Sequence, residues 1–318
     1  MRKIRFMAEE FFRSFQKSLL KNILLMVIFS ISFVMSVLMC SYYFDLGERY
    51  SDMTQHVGDS EWYNLELMTD SREITDSFSN VMGCRNIMNY YEELCSGNCP
   101  VFSLNTQQNV YVREQDLENL FDGKSFLVFL DEMQKESVKA QFGEEEICFQ
   151  HCLQSAQVDL NAYQIFGFRT EEGEGFTEEN MTIKKASDPI PILLGNDYKG
   201  MVKVGDVIDI GFWYYVYPCK VAGILERGAS LPENGQVGAG MVQVDSKILF
   251  PYGIHIQENP INVGEILKYA FLDYMALEFG IVQSAEGGNA NELAAVFSVT
   301  TVLQIRIYRF IFIAMIAP

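Results

Sequence analysis

The chain has 318 residues and a formal net charge of −18, with 42 Asp and Glu against 24 Lys and Arg. An acidic excess of this size disfavours nucleic acid and anionic lipid headgroups as partners, since like charges would meet. Hydrophobic residues make up 49% of the chain, enough for a sizeable core, while only three histidines are available for imidazole chemistry.

The first segment, RFMAEEFFRSFQKSLLK (5–21), has a helical period. Phe11, Phe15 and Leu19 recur every fourth residue, joined by Phe12 and Leu20, and Arg13, Lys17 and Lys21 fall elsewhere. We read residues 1–21 as a basic amphipathic helix lying against membrane lipid, either as a simple anchor or as a docking surface for a cytoplasmic partner. ILLMVIFSISFVMSVLMCSYYF (23–44) then runs for 22 residues without a charge. At about 1.5 Å per residue it spans roughly 33 Å, enough for a hydrocarbon core of about 30 Å. Residues 22–44 are therefore read as a transmembrane helix. The run exceeds the apolar region of a signal peptide and no A-x-A site follows, so it is read as an uncleaved anchor.

Charge sets the expected orientation. Residues 1–21 hold six Lys and Arg against two acids, whereas residues 45–300 hold 16 Lys and Arg against 40 Asp and Glu, a balance of −24. The positive-inside rule puts the N-terminus in the cytoplasm and residues 45–300 outside, in a cell membrane protein with a large extracytoplasmic domain.

Beyond the span, 45–100 reads as an irregular stalk, a strand around EWYNLELM (61–68) and a helix over 77–94. VFSLNTQQNVYVRE (101–114) alternates on both sides of a polar turn and predicts a hairpin. SFLVFL (125–130) predicts a buried strand, followed by a helix over 131–142. PIPILLGNDY (189–198), VGDVIDI (204–210), FWYYVYP (212–218), KVAGIL (220–225) and GMVQVDSKILF (240–250) are rich in β-branched and aromatic residues and predict a small sheet or barrel. The aromatic run 212–217 is read as core and hairpin packing rather than as a binding face. Residues 261–283 are apolar and ambiguous between helix and strand, and 286–296 predicts a helix start with Asn291 as N-cap. The pattern is α+β, with the transmembrane helix first.

Cys84, Cys95, Cys99, Cys148, Cys152 and Cys219 lie beyond the span, an even number open to disulfides or to plain buried thiols. CFQHC (148–152) sets His151 between two cysteines. A zinc site needs about four ligands, and nothing nearby in sequence completes one, so no metal and no cofactor is expected. The acidic turn RTEEGEGFTEENM (169–181) lacks the alternating oxygen ligands of a calcium loop. H-E-x-x-H, G-x-S-x-G and P-loop patterns are absent, no catalytic residue stands out, and an enzyme is not expected. Any use of ATP would need a separate subunit.

Four stretches, in order, resemble the extracytoplasmic core of MacB/FtsX-like ABC transporter permeases. Phe176-Thr177-Glu178-Glu179-Asn180 is similar to the family's G-R-x-F-T-x-x-D turn, with Glu174 where arginine falls and Asn180 at the acid position. Leu193-Leu194-Gly195, then Val204-Gly205-Asp206-Val207-Ile208-Asp209-Ile210, then Val221-Ala222-Gly223-Ile224-Leu225 are similar to the strands that follow. The resemblance implies an extracytoplasmic α+β core domain over 45–300 with a β-rich insert over 165–255. It implies that 301–318 is a stalk end and the start of an incomplete second transmembrane helix, so that the chain is the N-terminal part of a permease. The implied function is coupling of ATP hydrolysis, by a separate ATPase, to extracytoplasmic movement for export or mechanotransmission. The implied partners are a cytoplasmic ABC ATPase subunit, a second permease copy or homologous permease, and a peptide, lipoprotein or envelope-protein substrate. The competing reading of the same residues is a single-span receptor or interaction protein with an extracytoplasmic binding domain.

Overall fold

A single helix, α1 (Arg2–Val57), opens the chain. Neither Pro nor Gly occurs before Gly47, so nothing interrupts its hydrogen-bond ladder. The two expected pieces, 1–21 and 22–44, are therefore continuous, and residues 45–57 extend the helix where an irregular stalk was expected. The computed structural model describes residues 2–57, 62–67, 71–96, 101–106, 108–113, 127–142, 151–233, 241–258, 262–278, 280–283 and 305–309. The side chains of Phe11, Phe12, Phe15, Leu19 and Leu20, which define the expected amphipathic face, lie outside the described residues. Within α1, Ile23–Phe44 has a mean hydropathy of 2.7 and none of it is buried within the protein. The Ser36 hydroxyl donates to the Ser32 carbonyl at 2.9 Å, so this polar group is satisfied inside the helix.

Residues 52–318 form a second unit. It contains β1 (Trp62–Leu67), α2 (Ser71–Phe78), α3 (Val81–Ser96), β2 (Val101–Asn105), β3 (Asn109–Val112) and β4 (Leu127–Phe129). Next come α4 (Glu132–Phe142), β5 (His151–Val158), α5 (Leu160–Ile165), β6 (Thr170–Gly173), β7 (Thr182–Ile183) and β8 (Ile190–Leu194). The rest are β9 (Val207–Phe212), β10 (Tyr215–Leu225), β11 (Ser230–Pro232), β12 (Met241–Gln243), β13 (Ile248–Pro251), β14 (His255–Ile256), α6 (Val263–Glu278), β15 (Gly280–Gln283) and β16 (Ile305–Arg309).

Strand β5 is the hub. One edge of it carries β2 and then β3, both antiparallel, and the other carries β4 and then β13. Since β2 and β3 both run against β5, they run the same way, so 101–114 is not the expected hairpin. Its polar centre is a break in one long edge: the Ser155 N–H donates to Gln108 O at 3.1 Å and the Asp159 N–H to Ser103 O at 3.1 Å. From β13 the pairing continues through β8, β10, β9 and β3 and returns to β5, a closed circuit of strands. Val110, Leu153, Ile192, Leu194, Ile210 and Phe250 are fully buried in its core. The other arm leaves β2 through β15 and β1 to β16, all antiparallel.

Two expectations fail locally. Strand β4 is an edge strand with Phe129 79% exposed, since only β5 pairs with it among the described residues. The run FWYYVYP is not one strand: Trp213 adopts φ 45°, and the chain reverses there between β9 and β10. Strands β3 and β5 share the closed circuit with β8, β9, β10 and β13.

Helices α3 and α6 pack on each other and on β2. Both are fixed by side-chain caps. Asn80 accepts from the Gly83 N–H at 2.8 Å at the start of α3. At α6, Asn262 accepts from the Glu265 N–H at 3.0 Å while its amide donates to Glu265 at 2.9 Å, a reciprocal box that resolves the helix-or-strand ambiguity of 261–283. The expected helix start at 286–296 and residues 310–318 lie outside the described residues, and Ile305–Arg309, in the expected stalk end, is a strand paired with β1.

Candidate functional site

The residues that the sequence singles out do not converge. His151 begins β5 and packs its ring 4.3 Å from Phe129. Cys152 is buried with Leu130, Val138 and Phe142, while Cys84 packs with Ile266 and Ala270 in a separate cluster. Cys84, Cys95 and Cys219 are free thiols, and Cys99 and Cys148 lie outside the described residues. No group of three or more His, Cys, Asp or Glu among the described residues is placed to hold a metal. The aromatic run divides: Phe212 and Tyr217 are in the core, and Tyr214 is 55% exposed.

The four motif stretches do come together. Strand β10 runs parallel to β8 and antiparallel to both β9 and β6, which brings the second, third and fourth stretches side by side. The first stretch closes the turn after β6. The Thr177 N–H donates to the Asn180 side chain at 2.9 Å, the Asn180 N–H returns to the Thr177 hydroxyl at 3.2 Å, and the Asn180 amide donates to Gly175 O at 2.7 Å. Asparagine at this position thus serves as acceptor and donor at once, which a carboxylate could not do. Phe176 is buried against Tyr163, their ring centroids 5.4 Å apart. The Glu174 N–H bonds Ala222 O at 2.9 Å, which ties the turn to β10.

A cavity of about 420 Å³ lies between α3, α6, the start of α5, the 178–182 turn and the 252–256 segment. Helical spacing builds one wall, since Arg85, Met88, Glu92 and Cys95 follow each other at three and four residues along α3. Two nearly buried carboxylates, Asp159 and Asp273, line it, each 3% exposed. Asp159 is the N-cap of α5, accepting from the Ala162 N–H at 2.7 Å, the Ser103 N–H at 2.8 Å and the Tyr91 hydroxyl at 2.7 Å. Burial nonetheless pushes its pKa up to about 6. Among the described residues Asp273 accepts one hydrogen bond, from the Gly253 N–H at 3.1 Å. Burial first, and then the charges of Glu92 and Asp159, hold its carboxyl well above the ordinary carboxylate range. The same burial and the nearby Asp159 raise the Cys95 thiol. At the cavity's edge His255 Nδ1 lies 3.5 Å from Glu92.

Sequence reasoning missed both aspartates. Asp159 carries a signal after the fact, an acid directly before the short helix LNAYQI. Asp273 is a lone acid inside the apolar helical run ILKYAFLDYMAL, and only tertiary packing reveals its surroundings.

No protein-family model matches the chain, and no curated protein matches it. Among solved structures it is similar to the crystal structure of the periplasmic region of MacB from Actinobacillus actinomycetemcomitans, at 10% identity over 80% of this chain and 91% of that one, with a TM-score of 0.33. A likeness that shallow is common to mixed helix-and-strand folds and carries nothing about function.

Proposed function

We propose that this chain belongs to a permease subunit of the MacB/FtsX type. Its N-terminus is cytoplasmic, Ile23–Phe44 crosses the membrane, and residues 45–300 form an extracytoplasmic core with 165–255 as its β-rich part. A separate cytoplasmic ABC ATPase supplies the hydrolysis, and a second permease copy or homologous permease completes the complex. The outer domain is moved against a peptide, lipoprotein or envelope-protein substrate.

The observation that carries this reading is the assembly of the four resembling stretches. They are apart in sequence, yet three become adjacent strands and the fourth is the turn that closes on them. The wholly exposed apolar helix supports the membrane assignment, because 22 side chains of mean hydropathy 2.7 need lipid or a partner to cover them.

Two measurements test it. In intact cells, an impermeant lysine reagent should modify the domain beyond Phe44 while an N-terminal epitope stays inaccessible until the membrane is opened. The tagged chain, extracted from its native membranes, should then co-purify an ABC ATPase. An epitope accessible from outside would reverse the topology. Correct topology with no ATPase, under extraction that preserves known permease complexes, would sink the permease reading and favour a single-span receptor.

A further inference from the structure

We propose that the cavity between α3 and α6 is a binding site for a small organic cation, an ammonium group on an apolar body, with Asp273 as the anchoring carboxylate. The assignment rests on the cavity itself and holds whether or not the chain belongs to a permease.

Of the two buried aspartates, Asp273 has the fewer hydrogen bonds. Asp159 beside it accepts from two backbone N–H groups and a tyrosine hydroxyl, which is close to what a buried carboxylate needs. Asp273 has the same 3% exposure but a single hydrogen bond, to Oδ1, and among the described residues its Oδ2 accepts none. The charges that act on it are Glu92 and Asp159, both of its own sign. A carboxylate nine-tenths buried, short of donors and flanked by acids costs several kcal/mol unless a proton or a cation meets it. The free oxygen belongs to a residue that lines a cavity of about 420 Å³, within the usual range for small-molecule sites.

The remaining walls define the rest of the ligand. Met88, Met181, Leu160 and Ile254 supply a soft apolar lining. Glu92 and Glu178 add negative charge. Arg85 also lines the cavity, and its Nη2 is buried without a hydrogen-bond partner among the described residues, leaving room for a ligand acceptor at its end of α3. The four carboxylates outnumber this guanidinium, so the ammonium is the group that selects.

The test uses residues 1–318 in detergent micelles and isothermal titration calorimetry with phenethylammonium. Its neutral analogue 2-phenylethanol and the anion 3-phenylpropionate serve as comparisons. Phenethylammonium is expected to bind, with both comparisons and the Asp273→Asn variant weaker by about tenfold or more, the ratio that corresponds to about 1.4 kcal/mol. No binding of the amine, equal binding of the alcohol, preference for the anion, or unchanged binding by D273N would each overturn the proposal. If D273N has lost its near-UV circular dichroism, Met181→Trp replaces it as the test. Filling the cavity while keeping Asp273 should abolish amine binding, and retained binding would place the amine elsewhere and overturn the assignment.

Discussion

The buried Asp159 gives the domain beyond the apolar helix a pH dependence opposite to ordinary acid denaturation. Its pKa is raised from 3.8 to about 6, with burial the leading cause. A carboxyl with a raised native pKa binds its proton more tightly when folded. Its contribution to stability is therefore complete below about pH 3.8 and is lost as pH rises through about 6. Linkage between these two values makes this group favour folding by about 1.3 kcal/mol more at pH 5 than at pH 7. The hydrogen bonds allow the change: a protonated Oδ2 can donate to the Tyr91 oxygen, 2.7 Å away, while it still accepts from the Ser103 N–H. Asp273, raised for the same reason, acts in the same direction. The contribution of Asp159 alone is isolated by Asp159→Asn, which does not titrate. Urea unfolding in micelles, followed by near-UV circular dichroism at pH 5, 6 and 7, should show the stability gap between wild type and D159N widening by about 1.3 kcal/mol as pH falls from 7 to 5. Parallel pH profiles for the two proteins would refute the reasoning, as would a gap that narrows.

Gly195→Ala should unfold the β8 region, since a Cβ there would stand 2.2 Å from the backbone oxygens of Val244 and Asp245; a loss of about 3 kcal/mol or more is expected in urea melts. Asn180→Ala removes the two side-chain hydrogen bonds of the turn, while the backbone N–H keeps its bond to Thr177, and should cost about 2 kcal/mol; Asn180→Asp, which keeps the acceptor but loses the donor to Gly175 O, should cost about half of that by the same melts. Met35→Arg, near the middle of the apolar helix, should oppose insertion by about 2.5–3.5 kcal/mol, measured as the alkaline-extractable fraction of the protein in isolated membranes. Cys219 is fully buried, and burial raises its thiol well above the ordinary range, so maleimide should label it only on unfolding; rapid native labelling would show that β10 is not packed as described.

How much of this was legible depended on whether a feature is local. The apolar helix, β1, β8 and α4 follow from composition and period over short windows, and the sequence reading anticipates them. The hairpin expected at 101–114 failed because alternation on both sides of a polar turn cannot say which strand is the partner. Both halves pair with β5, whose nearest paired residue lies 41 positions beyond Val112. The apolar run SFLVFL is read as buried because hydrophobicity is the only cue, while the exposure of Phe129 follows from β4 lying at an edge, with only β5 paired to it among the described residues. FWYYVYP has the composition of a strand throughout, and its reversal at Trp213 needs a positive φ that no residue in the run advertises.

The cavity was illegible for a further reason: its walls come from five separate parts of the chain, and its two aspartates are ordinary in sequence. One link to the legible part exists. Glu178, Met181 and Thr182, which border the cavity, belong to the turn that follows Phe176-Thr177, the first of the four resembling stretches. That turn is tied to β10 through Glu174 and Ala222 and to itself through Thr177 and Asn180. Its downstream end continues into β7, which pairs with β14, and β14 supplies His255 and Ile256 to the same cavity. A displacement of the turn relative to α3 would therefore alter the cavity and the strand circuit together. Ligand occupancy should accordingly protect the backbone amides of 177–183 and 255–258 from hydrogen exchange in the same measurement, whereas protection confined to α3 and α6 would show that the two regions are mechanically independent.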